Sequence, residues 1–239
     1  YFLNSTLHNV MSQMMLRRDL SEIVALMEVI WNVEFSVEIE QIKQFETISS
    51  FALFYSAQTV QNLNGTKWQI VIDDFPEYKN RISSSFLIDY RMKRSIYYFN
   101  FGDYNKAASW SLENLNDDKL KRMPLHQTFN HLVFLMAHFK LGNQELVSSR
   151  AASRLRAEKT KAINFKFYKL MLNLFVKLFE KQLDTKEIIR AAIEQLIEIQ
   201  KEESYTAYLE LDLWLSSLLK NESLTELIAE KTKSLPRIP

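Results

Sequence analysis

A chain of 239 residues with 47% hydrophobic and 25% charged side chains can bury a substantial core and is too apolar to be disordered. It has no cysteine, which excludes disulfides, zinc–thiolate sites and thiol catalysis and fits a reducing, cytoplasmic setting; its net charge of +1 gives no global attraction to nucleic acid or anionic membrane. Three glycines and four prolines are too few for the turns of a sheet-rich fold, so an all-α fold of long helices is expected, as a single helical domain over residues 1–239.

In chain order, Tyr1-Phe2-Leu3-Asn4 carries no initiator Met, basic stretch or small-residue cleavage site, and reads as a trimmed or disordered beginning with function possible upstream. Asp19 or Ser21 is expected to cap a helix running to about Asn32, by accepting the free amide hydrogens of its first turn. A helix from about Val37 to Asn62 carries Ile39, Ile42, Phe45, Ile48, Ala52 and Tyr55 at three-and-four spacing. A shorter helix after Thr66 bears Trp68, Val71 and Ile72, and Pro76 ends or bends it. Helices then alternate at roughly 84–100, 103–115, 124–140, 143–158, 161–181, 185–202, 204–220 and 222–233, with Pro124 in a first turn, where its missing donor costs nothing. No run of about 18 apolar residues occurs, so no membrane-spanning helix is expected.

The glycines fall where helical hairpins need elbows. Gly65, Gly102 and Gly142 each follow one apolar-periodic segment and precede another, 37 and 40 residues apart, and glycine adopts the left-handed conformation of a helix C-cap without steric cost. The forty-residue register continues to Phe179-Glu180-Lys181-Gln182 and Leu219-Lys220-Asn221-Glu222. The column Phe99, Phe139, Phe179, Leu219 stays apolar, as does Tyr98, Leu178, Leu218 apart from His138. An all-helical repeat of this period is the pattern of an α-solenoid, best defined over residues 84–220, and predicts that the column is buried between hairpins.

The stretch Tyr97-Tyr98-Phe99-Asn100-Phe101-Gly102-Asp103-Tyr104-Asn105-Lys106-Ala107 resembles the centre of a tetratricopeptide repeat, with Tyr98, Gly102, Tyr104 and Ala107 on the motif. The family's Trp and Leu-Gly columns fall on Arg91 and Arg94-Ser95, its terminal Pro on Lys119, and the small-residue column of the next repeat on Val147, so the chain is a divergent relative with longer helices. The resemblance implies a right-handed α-α superhelix of about five to six antiparallel hairpins that binds a protein or peptide partner. It also implies that the first helix of each hairpin lines a groove, here Asp89, Met92, Ile96, Phe99, Phe129, Leu132, Met136, Lys169, Leu172 and Val176. Of the donors that grip a peptide carboxylate in such grooves only Lys169 and Asn173 are present; Met92, Ile96 and Val133 fill the other places, which disfavours acidic C-terminal peptides. An apolar stripe of this kind either accepts an apolar or amphipathic helix or is filled by the chain itself, and the second is the commoner fate.

Catalytic signatures are missing: there is no phosphate-binding glycine loop, no HExxH, no GxSxG, no DFG or HRD. His126, His131 and His138 lie on one helix, but two turns separate the last two, too far to share a metal. Glu194, Glu198, Glu202 and Glu203 recur at helical spacing, as on a solvated face. Arg150, Arg154, Arg156, Lys159, Lys161, Lys166 and Lys169 form a basic segment with Glu158 as its acid, able to attract an anionic partner yet equally readable as a solvated face. The function expected is a non-catalytic interaction scaffold without cofactor, metal or nucleic acid. The alternative is a ligand- or peptide-sensing half of a larger signalling or transcription-regulating protein, and an enzyme on an α-toroid would require an acidic, aromatic-lined cavity.

Overall fold

The structure, a computed structural model, describes residues 2–17, 19–71, 81–158, 165–180 and 184–237. Among these residues there are eleven α-helices and no strand. They are α1 (Phe2–Leu16), α2 (Ile23–Trp31), α3 (Glu38–Thr59), α4 (Ser84–Asn100), α5 (Tyr104–Leu115) and α6 (Pro124–Lys140). They continue as α7 (Gln144–Glu158), α8 (Lys166–Lys177), α9 (Thr185–Glu202), α10 (Leu211–Lys220) and α11 (Leu224–Thr232). Single 3-10 turns lie at Lys67–Val71, Asp118–Arg122 and Ser204–Tyr208. The expected helices of residues 84–158 coincide with α4 to α7 to within one residue. Trp68 is fully buried in its short turn, while Ile72 and Pro76 lie outside the described residues. None of the described helices is long and apolar enough to cross a membrane.

The elbows explain why the boundaries could be placed. At the first, the Gly102 amide donates to the Phe99 carbonyl at 3.0 Å and the Asp103 amide to the Tyr98 carbonyl at 2.9 Å. At the second, Gly142 donates to Phe139 at 3.1 Å and Asn143 to His138 at 3.0 Å. This paired pattern is the Schellman cap, and it needs a left-handed residue, which the glycines supply at φ +81° and +78°. A Cβ at either glycine would meet nothing within 4 Å. The penalty for a side chain there is therefore backbone strain alone. Gly102→Val and Gly142→Val should each cost about 1 kcal/mol or more in urea unfolding, and Gly→Asn at the same sites distinctly less. Equal stability of all four variants would contradict the cap argument. Asn221 repeats the device at φ +57°, with the Glu222 amide on the Ser217 carbonyl at 3.0 Å.

Other expectations are corrected. Phe2–Leu16, expected to start in a trimmed or disordered stretch, form helix α1, whose Met11 and Met15 are buried. Asp19 and Ser21 cap no helix: the Ser21 hydroxyl donates to the Asp19 carboxylate at 2.8 Å and α2 starts after Glu22 without a side-chain cap. Ile39 is exposed, at the solvent end of α3. The span 204–220 is broken at Leu209–Glu210, because buried Glu210 accepts from Lys231 at 2.7 Å and Glu203 accepts from the Lys166 and Phe167 amides at 3.0 and 3.2 Å, capping α8 from outside. In the repeat column Phe99 is buried, but Phe139, Phe179 and Leu219 are half-buried, since they lie at helix ends beside the elbows. Phe139 and Phe179 nonetheless meet, ring centroids 6.0 Å apart.

Consecutive helices pack on one another along the chain, and α4 also touches α6, which touches α8. The C-terminal part then turns back onto the beginning. Tyr208 packs against Phe54 of α3 and Phe129 of α6, at 5.6 and 5.5 Å. Trp214 of α10 sits against Phe139 and Phe175, at 5.9 and 5.7 Å. The Thr225 hydroxyl donates to the Asn100 carbonyl at 2.7 Å, and the Tyr55 hydroxyl and Gln61 side-chain amide donate to the Pro236 carbonyl at 2.5 and 2.9 Å. The chain's own end therefore lies against α3, α6 and α8 and reaches the C-terminal end of α4.

Candidate functional site

That covering decides the fate of the groove read from the sequence. Met92, Ile96, Phe129, Leu132, Met136 and Leu172 are all buried, at 0–2% exposure, within the continuous core. They line no open groove: they are enclosed among the packed helices, with Tyr208 against Phe129 and Trp214 against Phe175. Val176 is half-buried against the same core. Lys169 is separated from them and lines a surface groove between α8 and α9.

The basic segment is likewise divided. Arg150 lies over the Phe134 ring, 4.6 Å from its centroid, and Glu158 is buried at the end of α7. Arg154 is half-exposed and Arg156 exposed, Lys159 and Lys161 lie outside the described residues, and Lys166 is paired with Glu202. The described part thus forms no continuous cationic stripe. The three histidines part company too: His138 meets Asn143 at 2.8 Å and stacks edge-on with Phe134, His131 is buried, and His126 faces Asp89. Among the described residues no three His, Asp or Glu side chains come together as a metal would require.

Asp89 and His126 belong to a site that the sequence pattern did not assemble. Asp89 and Lys93 are four residues apart on α4, hence on one face, and their side chains pair at 2.8 Å. Lys93 is 4% exposed and also donates to the Ser50 hydroxyl of α3. Ser50 in turn donates to Asp89 Oδ2 at 3.0 Å, and His126 Nε2 from α6 approaches Asp89 Oδ1 at 3.3 Å. Beside this network Glu46 is fully engaged: one oxygen accepts from the Ser83 amide at 2.8 Å, the other from Lys43 at 2.5 Å. A cavity of about 420 Å³ opens over these groups, closed by His8 and Met15 of α1, Phe51 of α3, Phe86 of α4 and Tyr208. His8 meets Phe51 edge-on at 5.3 Å, and the Lys93 ammonium stands 5.7 Å from the Phe51 ring and 5.9 Å from that of Tyr208.

The electrostatics follow from this packing. Burial alone would push the Asp89 carboxyl up, but Lys93, with the hydrogen bond and charge of His126, holds it well below the usual carboxylate range. Burial lowers the His8 imidazole, assisted by the Lys93 charge, and burial raises the Tyr208 phenol. The cavity thus offers a fixed ion pair, an imidazole held below its ordinary value and two aromatic faces. Of the three Lys93 donors, Ser50 and Asp89 take two, and the third has no acceptor among the described residues. A trace of this site was present in the sequence: Asp89 and Lys93 are two opposite charges one turn apart, inside a stretch whose other turns carry Met92, Ile96 and Phe99.

No protein-family model, curated protein or solved structure matches the chain.

Proposed function

We propose that this chain is a non-catalytic ligand-binding module, the sensing half of a larger regulatory protein, whose ligand enters the cavity beside Lys93. The observation that carries this reading is a buried ammonium, one of whose donors has no acceptor among the described residues, at the wall of a cavity large enough for a small molecule or one or two peptide side chains. A buried charge network is costly to maintain, and a rigid polar floor under aromatic walls is how ligand pockets fix orientation. The twin Schellman elbows forty residues apart and the succession of α4, α6 and α8 support a right-handed superhelix of tetratricopeptide-like hairpins, curled until its inner face is filled. The interaction-scaffold reading keeps one feature in its favour, the open groove between α8 and α9.

The chemistry argues against catalysis. Ser50 gives its proton to a carboxylate too weakly basic to activate it, and His126 meets the other oxygen of Asp89, not the hydroxyl. It also defines the ligand. Glu46 is already occupied by Lys43 and Ser83, and Glu40, the other glutamate of the lining, is engaged as well, so a cation finds no free glutamate there, and an anion approaching Lys93 meets Asp89. A neutral molecule with an apolar body and an acceptor oxygen fits best. Titrating the chain with N-acetylphenylalaninamide, its free acid N-acetylphenylalanine and the cation phenylalaninamide, read by amide chemical shifts, tests this. The neutral probe should perturb Ser50, Phe51, Lys93 and Tyr208, and Ser85→Trp at the exposed mouth should abolish the effect. Preference for a charged probe, or perturbations that ignore Ser85→Trp, would contradict the reading.

A further inference from the structure

The groove between α8 and α9 shares no residue with the cavity and has a different character. It holds about 670 Å³ and has an aliphatic floor of Leu170 and Leu174 from α8 with Ile188, Ala192 and Ile199 from α9. Its α8 rim carries Lys166, Lys169 and Lys177. Lys166 is paired with Glu202, but Lys169 and Lys177 have no acidic partner among the described residues. Midway between them Asn173 turns its amide back onto the Lys169 carbonyl at 2.9 Å, which leaves the ammonium groups as the hydrogen-bond donors of the α8 rim. On the opposite rim exposed Ala191 stands between Glu187 and Gln195, so a helix laid in the groove can come close to the α9 backbone at Ala191 and must keep its acids on the flank facing α8, away from Glu187.

We propose that this groove docks an acidic amphipathic helix of a partner protein. The argument is complementarity of two kinds. The aliphatic floor asks for an apolar stripe, and the two cations on one rim, without an acidic partner among the described residues, ask for acids on one flank of the same helix. Lys169 and Lys177 are eight residues apart, about 12 Å along α8, so a helix lying alongside must carry its acids about two turns apart. Nucleic acid would engage the same cations but leave the floor unused, which is why a peptide is the better occupant.

The probe is a roughly 18-residue amidated peptide with leucines along one stripe and two glutamates about two turns apart beside it, with a second peptide carrying lysines in place of the glutamates. Fluorescence anisotropy with the whole chain should give micromolar binding of the acidic peptide and at least roughly tenfold weaker binding of the basic one. The double variant Lys169→Glu, Lys177→Glu should reverse that preference, and Ala191→Arg should abolish binding of either peptide. Both lysines and Ala191 are at the surface, and unchanged circular dichroism would show that the variants fold. Equal binding of the two peptides, no reversal in the double variant, or displacement of the acidic peptide by a single-stranded oligonucleotide would overturn the proposal. Ser85→Trp should leave this binding unchanged, so the groove and the cavity can fail separately.

Discussion

Lys93→Met is expected to destabilise the chain by about 3 kcal/mol, more than most single substitutions, because it leaves the Asp89 carboxylate in a site built around an ion pair. Lys93 is almost wholly buried and Asp89 is one-fifth exposed, so the remaining charge is poorly served by water. The companion variant Lys93→Met, Asp89→Leu should recover most of the loss, since an apolar pair of similar volume carries no desolvation penalty. Urea unfolding of the three proteins would measure it. The pH dependence has a defined sign. The folded Asp89 carboxyl sits below its ordinary value of 3.8, so its contribution is fully present above that pH and is lost as pH falls through the folded value. The wild type should therefore lose stability from about pH 4 downward more steeply than Asp89→Asn. Parallel curves would show that the network contributes nothing.

Trp214→Ala should cost about 3–5 kcal/mol, the range for emptying a fully enclosed aromatic site. Trp214 is wedged between Phe139 of α6 and Phe175 of α8, so its loss also loosens the C-terminal cover from the face it fills. Thermal unfolding should show the lower stability, and increased binding of a hydrophobic dye should show the opened face. A loss below about 1 kcal/mol would mean that α10 is held by its chain neighbours rather than by that face.

What was legible in the sequence was local. Gly102 with Asp103 and Gly142 with Asn143 encode both the left-handed cap and the start of the next helix, so α4 to α7 could be bounded closely. The Phe column was legible as apolar, but its depth was not: burial of Phe99 and half-exposure of Phe139 depend on what packs across the elbows. The cavity was hidden for the same reason. His8, Ser50, Asp89, Lys93, His126 and Tyr208 come from five separate elements, and among them only Asp89 and Lys93 are connected by a spacing along the chain. The return of the C-terminal end, with Tyr55 on Pro236 and Gln58 on the Tyr208 carbonyl at 3.2 Å, is a non-local pairing without periodicity. It turned an expected groove into core, and it placed Tyr208 as a wall of the site.

Placing the binding site at Lys93 depends on the inner face being closed, and methionine oxidation tests that directly. Met92 and Met136 stand on that face at 1% exposure, and Met171 at 0%. Exposed to dilute peroxide under native conditions, with oxidation read by mass spectrometry, all three should be protected and should react only as fast as the chain unfolds globally. In Trp214→Ala their protection should fall. Oxidation of Met92 and Met136 in the wild type at the rate of a free methionine would mean that the inner face is open to solvent, and would contradict a groove filled by the chain's own C-terminal end.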